Sequence, residues 1–468
     1  MRDFLREAAQ VRPSKRQLDW FDTEFYAFIH FGPNTYTDRE WGDGAEPEAI
    51  FCPKDLDCDQ WVAAIKAAGM KGMVLTAKHH DGFCLWPSKY TEHSVKNCPV
   101  PRDIVKEAAQ ACRRGGIKFG FYLSPWDRNC PYYGTPAYND YFCNQLTELL
   151  TEYGEIFYVW FDNACGEGPS GRRQEYDFPR YISLIRTYQP QAAIFNDYGP
   201  DVRWCGNEAG KARHAEWSVV PGELCRYSPV QTGPGPLAGE GDLSYMYNTD
   251  DNIGSLSNIL YSRGLVYAPA EMDTSIRPGW FWHPQEKPHS LEHLAKIYLS
   301  SVGANAGLNL NIPPNRNGLL DQQDVKRLKE LGDWLNREFG REIPSSVEAL
   351  SSMEARSSMD KDGHPTQPVY TISLNVPYTA VRYVVLEEDI EKGQRIESFR
   401  IYAQDGSGIR HPLFQGTCVG HKKICQLTNP FAVQNPLTND MEGKGSRLIL
   451  HVTGARGQVF LKRVRLYG

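Results

Sequence analysis

No run of about 20 apolar residues occurs in the 468-residue chain, so no segment has the length of a membrane-spanning helix. A basic block is missing as well. The 51 Lys+Arg are outnumbered by 57 Asp+Glu, and a formal charge of -6 gives little for a polyanion to grip. Nucleic acid and membrane are therefore not expected partners. The opening residues, MRDFLREAAQVRPSKRQ, lack the apolar core of a signal peptide, which points to the cytoplasm unless a leader has been removed. None of the 12 cysteines forms a CxxC pair, and Cys84, Cys112 and Cys165 sit in or beside apolar segments. Free thiols acting as small hydrophobes in a reducing compartment fit that scatter. Also absent is a GxGxxG after the first strand-like run, which argues against a doubly wound dinucleotide sheet.

What the chain does have is alternation. Strand-like runs occur at 25–32, 72–80, 117–125, 155–162, 192–197, 214–220, 264–273 and 304–314. Amphipathic stretches at 57–70, 102–116, 136–154 and 288–303 lie between them, and Gly115, Gly116 and Gly154 stand where helix C-caps belong. Strand and helix repeated about eight times predict a (β/α)8-like, TIM-type barrel over residues 1–340. After about residue 340 the texture changes. A polar, Ser-rich stretch, SSVEALSSMEARSSMDKDGHPTQP, reads as a linker, and short alternating runs beyond it predict a C-terminal β-sandwich over 341–468. That module shows no catalytic constellation, and packing is its expected role.

Residues 155–162 read EIFYVWFD, an apolar strand that finishes on an aspartate. Burying an unpaired carboxylate is expensive, so Asp162 either makes a structural ion pair or stands at the mouth of a site. His30, His79, His80, Asp81, Ser124, Asn196, Asp197 and Glu271 likewise follow apolar strand cores. In a parallel barrel the C-terminal strand ends build the active site. Three histidines invite a metal reading, but no two of them stand at HxH or HxxxH spacing. Neutral imidazole offers one donor and one acceptor, which suits a polyhydroxylated ligand better. Tryptophans 41, 86, 126, 160, 204, 280 and 282 lie near the same loops, and flat apolar surfaces beside polar edges suit sugar rings. Sugar chemistry in turn calls for paired carboxyl groups, one nucleophilic and one proton-donating.

FIHFGPNTY, EW at 40–41, KHHDGF, YLSPWD, VWFDN, RWCGNEAG and SIRPGWFWH, in that order, resemble glycoside hydrolase family 29, the α-L-fucosidases. The resemblance spans about residues 15–335. RWCGNEAG and SIRPGWFWH are most similar to the subgroup acting on α-1,3/1,4-linked fucose of Lewis-type branched glycans. The resemblance implies a retaining exo-fucosidase with Asp162 as nucleophile and Glu208 as acid/base. His30, Glu40, Trp41, His79, His80, Tyr122 and Trp160 match the positions that hold the fucose. No metal or cofactor is implied, and a fucosylated oligosaccharide is the expected partner. Glu271 and Glu216 are rivals to Glu208, because many family members read Asn-Asp-Arg-Trp after the fifth strand. This chain has Asn196-Asp197-Tyr198-Gly199, with Arg203-Trp204 later. A sugar-binding protein of the same fold without catalysis is the alternative, although such a protein needs neither carboxyl group. The long Gly-, Pro- and Tyr-rich stretch from 221 to 262 is expected to reach a neighbouring galactose.

Overall fold

The computed structural model describes residues 4–235, 252–349, 368–404, 408–428 and 447–468. In chain order the strands of the first two-thirds are β1 (Phe25–Ile29), β2 (Gly72–Lys78), β3 (Lys118–Leu123), β4 (Tyr158–Trp160), β5 (Ala193–Phe195), β6 (Arg203–Trp204), β7 (Val219–Pro221), β8 (Leu265–Tyr267), β9 (Ala270–Ser275) and β10 (Ala306–Asn311). Eight of them pair in parallel in the order β5-β4-β3-β2-β1-β10-β9-β6. The two edges then meet, because Phe195 bridges Val202 just ahead of β6. This is the expected (β/α)8-like barrel. Its seam is short: the N–H groups of Asp201 and Val202 both donate to the Ile194 carbonyl, at 3.3 and 3.1 Å. The Ile194 N–H finds no strand carbonyl and donates instead to the Asp201 carboxylate at 2.9 Å. Arg186 and Arg16 hold that carboxylate in place at 2.5 and 3.2 Å.

The period-2 alternation of strand side chains sorts the barrel into two shells. Phe25, Ala27, Ile29, Met73 and Leu75 face outward and share a core with helix residues such as Trp61, Ile65 and Phe142. Tyr26, Phe28, Val74, Tyr122, Tyr158 and Trp160 face inward and fill the lumen. The covering helices begin where polar residues can accept their first free N–H groups. Asp57 caps Cys58–Ala67, Asp103 caps Ile104–Gly115, Asp177 caps Phe178–Tyr188 and Ser290 caps Leu291–Ser300. Gly116 ends the second of these in the left-handed region, at φ 69°.

Three sequence expectations are corrected. The run at 214–220 is not a barrel strand: only its end enters β7, which pairs antiparallel with β8 outside the barrel. The sixth barrel strand is the two-residue β6, which no hydrophobic pattern marks because its first residue is a buried arginine. The run at 264–273 divides at Pro269, with β8 before it and β9 after it, since proline supplies no N–H to continue a ladder. Finally, the polar stretch after 340 is not wholly a linker. Its first residues form β11 (Ser345–Ala349), while 350–367 lie outside the described residues.

β11 opens the C-terminal module, followed by β12 (Val369–Leu374), β13 (Tyr383–Glu388), β14 (Ile396–Gln404), β15 (Arg410–Gly416), β16 (Lys423–Gln426), β17 (Arg447–Ala455) and β18 (Leu461–Tyr467). Two antiparallel sheets, β11-β12-β17-β14-β15 and β16-β13-β18, enclose Ile372, Leu386, Phe399, Leu450 and Leu466 as a β-sandwich core. The sandwich docks on the barrel where His421 stacks on Phe21 at 4.6 Å and Arg456 lies 3.5 Å over the Trp217 ring.

Candidate active site

The C-terminal ends of the barrel strands surround a cavity of about 300 Å³. Its lining brings together the nine residues to which the family resemblance points: His30, Glu40, Trp41, His79, His80, Tyr122, Trp160, Asp162 and Glu208. Phe28, Ala164, Asp273 and Trp280 complete it. Each lumenal side chain arrives by strand alternation, Tyr158–Trp160–Asp162 from β4 and Tyr26–Phe28–His30 from β1.

Asp162 is partly solvated, with 27% of its side chain exposed. Its Oδ2 accepts the Tyr122 hydroxyl at 3.0 Å and its Oδ1 accepts the Ala164 N–H at 2.8 Å. Both donors stabilise a carboxylate in place. Burial, then the nearby Asp162 charge, pushes the Tyr122 phenol well above its usual range, so it remains a donor. His80 Nε2 stands 3.7 Å from the same oxygen.

The three histidines are neutral near pH 7. Burial drives His30 down to about 3 and His79 well below its ordinary value, and it lowers His80 despite the opposing pull of Asp162. Two tautomers follow from their partners. Ser124 gives its single hydroxyl proton to the Trp126 carbonyl, so His80 Nδ1–H must donate to Ser124 Oγ, at 2.7 Å. Asn311 turns its amide N–H groups to the Trp280 carbonyl and Ser275, so His30 Nδ1–H donates to Asn311 Oδ1 at 2.8 Å. Nε2 of each ring is then a hydrogen-bond acceptor. Behind this pair of loops, fully buried Lys78 bonds Asp127 and Gln145, both at 2.9 Å. That buried ion pair ties the segment carrying His79 and His80 to the one following β3.

Glu40 belongs to the wall rather than to the reacting centre. It accepts the N–H groups of Trp280 and Phe281 at 2.9 and 3.3 Å and meets His283 Nε2 at 2.6 Å. Trp41 is 56% exposed and stands at the mouth, edge-on to His80 and Trp126. Glu208 lies on the turn after β6 at the exposed rim. The Trp280 indole N–H reaches its Oε2 at 3.4 Å. Partial desolvation, with the charges of Asp162 and Glu40, raises its acid against the weaker effect of that hydrogen bond.

The rivals fall elsewhere. Glu271 is completely buried at the barrel floor, where it accepts from Tyr26, from Tyr158 and Trp160 (both 2.6 Å) and from Asn309 (3.3 Å). Glu216 is also buried, paired with Arg203 and with Arg213 at 3.5 Å. Arg203 is thereby locked outside the cavity, which leaves the family's arginine after the fifth strand without a counterpart there among the described residues. Arg213 also donates to the Cys205 carbonyl at 2.7 Å, bracing the turn that carries Glu208. Asp81 is buried behind the cavity, with its Oδ1 on the Phe83 N–H. Of the 221–262 stretch, residues 236–251 lie outside the described residues. Sequence reasoning missed Asp273. The signal was present, since a residue two positions beyond Glu271 shares its face and lies nearer the strand end.

A family model described as Alpha-L-fucosidase matches residues 13–339. Alpha-L-fucosidase 1 of Arabidopsis thaliana is 40% identical over 438 residues, covering 89% of this chain and 82% of its own. A glycoside hydrolase 29 family member from an unknown rumen bacterium superposes with a TM-score of 0.79 at 36% identity, covering 98% of this chain and 77% of that one. A glycoside hydrolase 29 fucosidase of Ruminococcus gnavus, solved in complex with fucose, gives 0.77 at 28% identity, covering 98% and 95%. With its barrel, its sandwich and its carboxyl-lined cavity, this chain belongs to the α-L-fucosidase family of glycoside hydrolases.

Proposed function

We propose that the chain is a retaining exo-α-L-fucosidase in which Asp162 is the nucleophile and Glu208 the acid/base, cleaving α-1,3/1,4-linked fucose from Lewis-type branched glycans. The observation that carries the roles is the contrast between two carboxyl groups of one cavity. Asp162 receives two donors that favour its anion, whereas Glu208 has one long hydrogen bond and an acid raised by desolvation. Two carboxyl groups with opposed environments are the arrangement that acid–base division of labour requires.

In the first step an Asp162 oxygen forms a bond to the anomeric carbon as the bond to the leaving oxygen breaks. The Glu208 proton passes to that oxygen. In the second step Glu208 takes a proton from water, the water oxygen bonds to the anomeric carbon, and Asp162 is released. Neutral His30 and His80, each presenting Nε2 as acceptor, match ligand hydroxyls, and Trp160 lines the cavity beside them. The fucose held by the Ruminococcus gnavus neighbour supports a ligand of that size.

The linkage preference rests on the likeness of RWCGNEAG and SIRPGWFWH to that subgroup. Binding energy from a neighbouring galactose can be used to speed bond cleavage. The test is a panel of fucosylated oligosaccharides beside a simple aryl fucoside, with the anomer of released fucose followed by NMR. A Lewis trisaccharide should be cleaved faster than 2′-fucosyllactose or the aryl fucoside, and α-fucose should appear first. Faster cleavage of 2′-fucosyllactose would overturn the linkage preference. Release of β-fucose would overturn retention.

A further inference from the structure

The double displacement leaves one acidic side chain of the cavity without a task. Asp273 lies on β9 two residues beyond Glu271, lines the cavity together with Asp162 and Glu208, and is 4% exposed. Its surroundings differ sharply from those of Glu271, which has four donors. The Trp204 indole N–H, 2.7 Å from Oδ1, is the sole side-chain donor to Asp273 among the described residues. The titratable groups about it are Glu271 on its own strand, and Glu208 and the Cys205 thiol beyond β6, all of them acids. On β10, Asn309 stands opposite in register but gives its amide to Glu271. Among the described residues no ion pair reaches Asp273, and none of the largest influences on it is a cation.

A buried carboxyl whose donors are one indole and its own backbone N–H, set among acidic neighbours, keeps its proton. Burial first, then Glu271 and Glu208, pushes the Asp273 acid well above the carboxylate range. Because Oδ1 accepts from Trp204, the proton belongs on Oδ2. We propose that Asp273 is a further substrate-binding residue, a neutral acid whose Oδ2–H donates a hydrogen bond to an oxygen of the sugar in the cavity. It complements His30 and His80: they present acceptors, and Asp273 presents a donor. Its neutrality also leaves Asp162 as the negative charge facing the anomeric carbon. This rests on the fucosidase reading of the cavity.

Asparagine is the shape of a protonated aspartate, with a carbonyl for Trp204 and an N–H group where Oδ2–H stood. Asp273→Asn should therefore bind L-fucose by calorimetry within about 3-fold of the unaltered chain. Asp273→Ala should lose about 10-fold or more in fucose affinity, the size of one buried hydrogen bond. If folded Asp273→Asn falls as far as the alanine variant, the group acts as an anion and the proposal fails. Alanine with unaltered fucose affinity also overturns it, because the side chain then does not touch the sugar. Should the alanine variant not fold, asparagine against the unaltered chain decides the matter. Fucose binding does not depend on which residue attacks, so an error in the Asp162 or Glu208 role leaves this result standing. An unaltered chain that fails to bind fucose would instead remove the fucosidase reading itself.

Discussion

Glu271 at the barrel floor and Glu208 at its rim are two glutamates of one lumen with opposite fates. The floor glutamate is completely buried and meets four donors from three strands. The rim glutamate is exposed on a turn and meets one indole at 3.4 Å. Donor count, more than burial, separates a carboxyl that holds the barrel together from one free to exchange a proton. Asp162 falls between them, with two donors and an open face.

The hardest test of that ordering is Asp162→Ala, which should fold normally and lose about 10^4-fold or more in turnover. Azide should restore part of it by occupying the vacated space and giving the β-fucosyl azide, identified by mass and NMR. Turnover close to that of the unaltered chain would remove Asp162 from the reaction. Next in size is Glu208→Ala, expected to slow an oligosaccharide about 10^2- to 10^3-fold while slowing an activated aryl fucoside far less. Only the poor leaving group needs the proton. Should Glu271→Gln show that split instead, floor and rim would have exchanged roles. Glu271→Leu should act on stability, because Tyr26, Tyr158, Trp160 and Asn309 would all lose their acceptor. A loss of about 3 kcal/mol or more is expected in denaturant unfolding. The smallest effect belongs to Trp280→Phe. Removing its N–H removes the hydrogen bond that favours the Glu208 anion, so the Glu208 acid should rise further. Since Glu208 must be protonated to act, the alkaline limb of the rate profile should move to higher pH.

The barrel and the site were legible to different depths, for physical reasons. Strands as apolar as Phe25–Ile29 and Gly72–Lys78 announce themselves, and the polar residues just past them fall at the mouth because every barrel strand points the same way. That is why the sequence alone places His30, His79, His80 and Asp162 together. β6 could not be read, since two residues carry no periodicity and Arg203 is buried by an ion pair rather than by hydrophobicity. Asp273 is masked by its neighbour: it shares one strand face with Glu271, and only the lumen shows which of the two reaches the cavity. The division at Pro269 was legible in principle, because the proline stands in the middle of the run.

The seam between β5 and β6 has a consequence for the rhythm of the molecule. Asp162 follows β4 on one side of that join and Glu208 follows β6 on the other, so the proposed nucleophile and proton donor face each other across the barrel's least-laddered contact. A join closed by two N–H groups on one carbonyl and a side-chain carboxylate should open more often than the β1–β2 contact opposite. Deuterium should accordingly enter at Ile194 and Val202 sooner than at Val74 or Leu75. A sugar touching Trp160 and Glu208 at once would act as a clasp, slowing that exchange, and its departure would release the barrel to breathe again.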